Sequence, residues 1–521
     1  TMRRPRLLLP SPAVVALAFV VLASSLLRNQ ITLLLTLKLP SHHIGVYVYD
    51  AFRVSETEVR FYYFRDADNA RSSLSFSSGD GRWQRLAIDR CICPPAAILM
   101  DCSVKGHLAI ARFSSANSIG VQLPLRSASS NERFLVPIRD VRLSPSNHRY
   151  PHSLGVCLKP IFFYADWPAV VAFFESWLAA GATKFYIYRH SLTREVAHVL
   201  ETYKRRLPTG AIELVDWPDL PVEQRHRGAF DNDPNTRVFS GSVYTAINDC
   251  MLRARSHVEF VPVLDLDEVL VMPSAPSLAA AQLVGLLGDL SRAHPAAAAF
   301  RLPWRYAEML AEENTAAAVP SAMSELSFSH LASVHVPQPR RVMREYATFG
   351  KMLYRPERTV MVGLHKAMLH EKLPEFIDVP PSKLTVNVDE RDLLVFHIRR
   401  FTPRRASSAS VSSNTTSDEI SEPLLEVRVA AMTDAYAERF NGTDAFEADL
   451  GTSWARIATA TLRDIERCRA SPFNARFIGR GFCRSLATCE RLLTNADAFI
   501  KAPPAWTNVA TRDRFYQYLQ H

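Results

Sequence analysis

Hydrophobic and polar positions change texture several times along this chain. An uncharged run of 21 residues, Leu7 to Leu27, follows Arg3, Arg4 and Arg6. About 20 apolar residues span a bilayer. With the basic end toward the cytoplasm, residues 1–35 read as a cytoplasmic tail and a transmembrane signal anchor. A cleaved leader is the alternative, with Ala23-Ser24-Ser25 a poor cleavage site. From 36 to 150 the apolar runs become short and rich in β-branched and aromatic residues: Val46–Tyr49, Val59–Phe64, Leu108–Phe113 and Phe134–Ile138. Polar Ser, Asn, Gly and Asp clusters separate them, which predicts a small β-rich domain.

Residues 151–405 alternate between strand and helix patterns. Val156–Phe163 is a buried strand candidate, and Pro168 opens a helix that Gly181 ends. Lys184–Tyr188, Ala211–Val215 and Val258–Leu264 are further strands, with helices over Arg194–Arg206 and Val243–Arg255 between them. This order predicts an α/β domain with a mainly parallel sheet. Pro262 lies inside the last strand and cannot donate to a ladder, so a bulge or an unbonded position is expected there. Residues 406–421 are rich in Ser and Thr and read as a linker. Helical periodicity returns over Leu424–Phe440 and Trp454–Arg469. The C-terminal region, 406–521, is therefore a linker followed by helices.

Composition narrows the choices. The 521 residues are 48% hydrophobic and 22% charged, values that exclude disorder as the main state. The net charge of +9 is spread thinly and without a basic block, so no nucleic acid partner is expected. No G-x-G-x-x-G or P-loop pattern occurs, which argues against a glycine-cradled phosphate. Eight cysteines all follow the anchor, an even number that permits disulfides in an oxidising lumen. Sequons at Asn414 and Asn441 permit glycosylation there.

The candidate chemistry centres on Val263-Leu264-Asp265-Leu266-Asp267-Glu268. Two carboxylates two apart end an apolar strand, where open α/β sheets place ligands. Such oxygen donors suit Mn²⁺ or Mg²⁺. A divalent ion there can neutralise a departing diphosphate. Asp66-Ala67-Asp68 and Asp231-Asn232-Asp233 share the spacing, but in polar contexts that read as solvated turns.

Several blocks, in order, resemble glycosyltransferase family 92. They are Cys157-Leu158-Lys159-Pro160, Glu175-Ser176-Trp177-Leu178, Gly181 to Tyr188, Trp217-Pro218, Asn248-Asp249-Cys250 and Leu264 to Glu268. The resemblance covers roughly residues 154–400. It implies a GT-A-like nucleotide-sugar-binding domain in a type II Golgi membrane protein. It also implies transfer of a hexose, commonly galactose from UDP-galactose, to a glycan or glycoprotein acceptor with Mn²⁺ or Mg²⁺. It makes Asp265 and Asp267 metal and diphosphate ligands. His397, in Leu393–Arg399, resembles the family's His-aromatic-Arg element and becomes the third ligand, although Ile398 departs from the aromatic. His365 competes for that role. Arg399 points to the diphosphate, and Tyr186, Tyr188, Arg189, Asp216 and Asp249 to the nucleoside or sugar. Glu175 reads as an ion pair. Inverting transfer needs a carboxylate base for the acceptor hydroxyl, and Glu308, Glu325 and Glu345 are the candidates. Trp304 and Tyr306 are sugar-stacking candidates.

Two other classes remain open at this point. Asp265-Leu266-Asp267-Glu268-Val269-Leu270 also satisfies the first motif of haloacid-dehalogenase phosphatases, with Asp265 as nucleophile. A non-catalytic lumenal glycan-binding protein could share the fold.

Overall fold

The computed structural model describes residues 45–518 apart from 67–73, 79–80, 93–101, 128–132, 143–149, 229–231, 239–241, 275–279, 310–318, 329–330, 332–333, 336–349, 400–422, 471–484 and 511–514. The membrane anchor, the Ser/Thr-rich linker, Asn414 and Glu345 lie outside the described residues. Among the described residues, no helix is long and apolar enough to cross a membrane.

The β-rich region forms a ten-stranded sheet. Val46–Arg53 lies inside it, antiparallel to Glu58–Asp66 and parallel to Arg133–Asp140. The tail of the chain completes this sheet. Phe515–Tyr518 runs parallel to Val46–Val48, and Trp506–Ala510 pairs with it. Short β-branched and aromatic runs between polar clusters made the N-terminal strands visible in the sequence, and the central ones are buried on both faces. The tail strands are short and carry Gln and Asn, so their pairing is a tertiary choice.

The α/β region is built on a seven-stranded sheet in the order Ile212–Asp216, Lys184–Arg189, His152–Ile161, Val258–Leu264, Lys351–Tyr354, Ala299–Leu302, Thr385–Asn387. The first four strands are parallel, as expected. Lys351–Tyr354 then runs antiparallel to both neighbours, so the sheet is mixed rather than mainly parallel throughout. Val258–Leu264 is central and almost wholly apolar because both of its faces are covered. Both of its registers run past Pro262 without a bulge.

Helix Trp167–Ala179 begins where Asp166 accepts the Ala169 N–H, and Pro168 fills the first turn. It is apolar nearly all round because it packs against both Arg194–Arg206 and Pro423–Phe440. Its buried Glu175 accepts from Tyr203 and Arg439, which makes it an internal ion pair. Gly181, at φ 92°, ends the helix segment. A disulfide joins Cys157 on the His152–Ile161 strand to Cys250 on helix Val243–Ala254. Closing so long a loop removes about 4–5 kcal/mol of unfolded-chain entropy in the simple polymer picture. A second disulfide, Cys468–Cys489, ties helix Ser453–Ala470 to the short helix Leu486–Glu490. Cys91 and Cys102 are also disulfide-bonded.

After the turn at Asp265–Asp267 the chain enters a second, four-stranded sheet: Glu268–Val271, Leu394–Arg399, Trp304–Met309, Val334–His335. Its register sets Glu268 opposite His397, and His397 opposite Tyr306. The acidic turn thus lies where one sheet hands over to the other.

Candidate active site

Three strand ends converge on the acidic turn. Leu264 pairs with Leu158, which puts Lys159 beside Asp265 on one flank. Val263 pairs with Met352, which brings Lys351 to the other flank. The fold therefore delivers two lysines to the carboxylates from neighbouring strands. Lys159 contacts Asp265, and Lys351 contacts Glu268 closely while standing 3.8 Å from Asp265. Glu268 is buried, and its Oε2 accepts the backbone N–H of Asp265 at 3.0 Å. The Ile398 N–H donates to the Asp267 carbonyl at 2.7 Å, which pins the turn to the second sheet.

His397 closes the group. Its Nε2 lies 3.1 Å from Asp267 Oδ2 and its Nδ1 lies 3.5 Å from Glu268 Oε1. Trp304 and Tyr306 flank its ring, with centroids 5.8 and 5.7 Å away. Asp267, Glu268 and His397 each bring a ligand atom within 4.8 Å of the others. Two carboxylate oxygens and an imidazole nitrogen are a suitable donor set for Mn²⁺ or Mg²⁺. Asp267 is the most open of the three, at 40% side-chain exposure.

Charge is unevenly shared here. Burial pushes the Asp265 carboxyl up, but Lys159 and then Lys351 outweigh it and hold it below the usual range. Burial, then the charge of Asp265, pushes Glu268 up. Lys159 would lose its proton to burial, yet the charge of Asp265 holds it on. The cluster opens on a cleft of about 480 Å³. Phe162, Phe173 and Leu331 line the cleft, together with Leu462 and Ile465 of helix Ser453–Ala470.

The structure brings together Asp265, Asp267 and His397 among the residues expected from sequence. Glu308 and Arg399 are paired across adjacent strands of the second sheet, two positions beyond Tyr306 and His397. Tyr186, Tyr188 and Asp249 are not brought to the cleft. Tyr188 donates to Asp249 Oδ2 at 2.5 Å, and Arg253 donates to the same oxygen. Arg253 also reaches Asp50 and Glu213, so these groups form a buried charge network under the sheet. Tyr186 is buried and donates to the Arg253 carbonyl at 3.3 Å. Inward-facing positions of a parallel strand meet the covering helix, which is why these side chains point away from ligand. Arg189 and Asp216 do end their strands at the ligand edge, but they bind each other at 2.7 Å. Asn248 clips helix Val243–Ala254 to Val362 through two backbone bonds. Glu325 is exposed and accepts from Ser321 in a local turn. His365 sits 3.3 Å from the Gly350 carbonyl, outside the three-residue group. Asp233 is a buried turn cap.

Glu268, Lys159 and Lys351 were missed as site residues. A lysine ending an apolar strand was the available signal. It needed the strand order to acquire meaning.

The glycosyltransferase family 92 model matches residues 152–428, just over half of the chain. The chain belongs to glycosyltransferase family 92. A glycosyltransferase family 92 protein of Caenorhabditis elegans is 24% identical over 216 residues, 41% of this chain and 38% of that protein. The matched stretch thus spans well under half the length of that relative. Among solved structures, the chain is similar to a mannosyltransferase from Pyrobaculum calidifontis in complex with GDP-Man and Mn²⁺. The identity is 12%, the TM-score is 0.25, and the match covers 68% of this chain and 88% of that one. It is also similar to glucosyl-3-phosphoglycerate synthase from Mycobacterium tuberculosis in complex with Mn²⁺, UDP and glucosyl-3-phosphoglycerate. There the identity is 11%, the TM-score 0.23, and the coverage 48% and 73%. Family membership sets aside the phosphatase alternative.

Proposed function

We propose that this protein is a GT-A-type glycosyltransferase that moves a hexose from a UDP-sugar to a glycan acceptor, with UDP-galactose the first donor to test. The observation that carries the reading is the meeting of Asp267, Glu268 and His397 at a cleft on the ligand edge of the sheet. Asp267, Glu268 and His397 would hold Mn²⁺ or Mg²⁺, with Asp265 beside them. When bound, that ion neutralises charge on the diphosphate leaving group.

The chain's own residues supply the rest. His397 is oriented by both carboxylates and boxed by Trp304 and Tyr306, so its ring is fixed before any ligand arrives. Helix Ser453–Ala470 walls the cleft and excludes water from one side. Glu308 is the candidate base for the acceptor hydroxyl, because its strand position lies two residues beyond Tyr306 on the same face. Arg399 opposite it is the candidate diphosphate contact. We place the enzyme in the Golgi lumen as a single-pass type II protein, supported by the Leu7–Leu27 run and by disulfide-bonded cysteines.

The test is UDP release from a panel of UDP-sugars with mixed glycan acceptors, in Mn²⁺ and in EDTA. Mn²⁺-dependent release from one donor would establish the activity and name its sugar. No release from any donor would leave a glycan-binding protein on an enzyme's fold.

A further inference from the structure

Nucleoside diphosphates carry about three negative charges, and a site that takes one supplies cations beyond the metal. The residues that line the cleft include one lysine, Lys159. It stands on the strand beside Asp265, and its side chain is 19% exposed. Lys351 differs: it is buried against Glu268, and its ammonium lies 5.8 Å from the centre of the Trp304 ring. One lysine is therefore a fixed internal counter-charge. The other faces the ligand space.

We propose that Lys159 is a diphosphate-binding residue that rests on Asp265 until the donor arrives. Resting there, it competes with the divalent cation for the acidic turn. When metal and nucleotide bind together, Lys159 exchanges the Asp265 carboxylate for a phosphate oxygen. The exchange keeps a charged lysine paired at both stages, which is what a mostly buried ammonium requires. It also couples the two ligands, because the metal and the diphosphate each relieve the contact that the other must break. The proposal rests on the UDP-sugar reading above.

The experiment measures binding by the full chain, with MnCl₂ alone and then with UDP at saturating MnCl₂. A charge-assisted contact of this kind is worth about tenfold or more in affinity. Lys159→Met should bind Mn²⁺ alone about tenfold more tightly and UDP about tenfold more weakly. Lys159→Arg keeps the charge and should bind UDP within about threefold of the unmodified chain. Opposite signs for the two ligands are the fingerprint that a merely structural ion pair would not give. Unchanged UDP affinity in Lys159→Met would overturn the proposal alone, as would unchanged Mn²⁺ affinity. No UDP binding by the unmodified chain with Mn²⁺ would overturn the donor reading, and the proposal with it.

Discussion

Two charge networks in this protein both set Asp and Glu carboxylates against basic side chains. Under the sheet, Asp249, Arg253, Asp50 and Glu213 gather around the Tyr188 hydroxyl. At the sheet's edge, Asp265, Asp267 and Glu268 meet Lys159, Lys351 and His397. Arg253 makes three ion pairs at the centre of the first network. The second keeps a carboxylate that is 40% exposed, with a cleft beside it. Buried charge alone therefore does not mark a site. An open coordination position and room for a ligand do.

The comparison is broken most directly at Asp267. Asp267→Asn should lower UDP-sugar turnover about 100- to 1000-fold. Because the side chain is well exposed, stability should stay within about 0.5 kcal/mol. UDP release and thermal melting check both halves. Asp249→Ala should behave in the opposite way. It takes one of three carboxylates from the buried Arg253 and leaves the buried Tyr188 hydroxyl without its acceptor, a loss of about 1–3 kcal/mol, while turnover per folded molecule is kept. Urea unfolding and an active-fraction assay separate the two. A stable variant with lost turnover would move Asp249 into the donor site.

Glu268→Gln sharpens the ligand set. If Glu268 shares the metal with Asp267 and His397, Mn²⁺ affinity should fall about 10- to 100-fold by titration calorimetry. An unchanged affinity would return the role to Asp265. The smallest effect concerns pH and lies away from both networks. His190 and Lys501 bond to Asp219 and hold its carboxyl low against the opposing push of burial. A carboxylate with a depressed folded value stabilises above its unfolded value near ~4 and loses that contribution as pH falls below it. Urea midpoints at pH 5, 4 and 3 should fall more steeply in the unmodified protein than in Asp219→Asn. Parallel slopes would remove Asp219 from the acid response.

Much of the α/β region was legible because its signals are local. Pro168 in a helix's first turn, Gly181 after an apolar helix and an apolar run into Asp265 each act within a few residues. Asp267 and His397 were legible as candidates from motif and resemblance. Glu268 was not singled out, because a third acid after a D-x-D looks like the start of the next strand, which it also is. The cross-strand register alone sets it against His397. Tyr188 and Asp249 misled for a related reason. A polar group near a strand's end points to ligand or to the covering helix according to a face that spacing left open.

By itself, then, the sequence determined many of the elements, the parallel half of the sheet and an acidic turn at its edge. Hydrophobic period, caps and turn residues act over one or two helical turns, so they can be read in line. The tertiary structure decided the antiparallel Lys351–Tyr354 strand, the tail strands that complete the N-terminal sheet and the lysines on either side of Asp265. Each of these joins residues scores to hundreds of positions apart, and such contacts follow from which faces must be buried together rather than from any pattern along the chain.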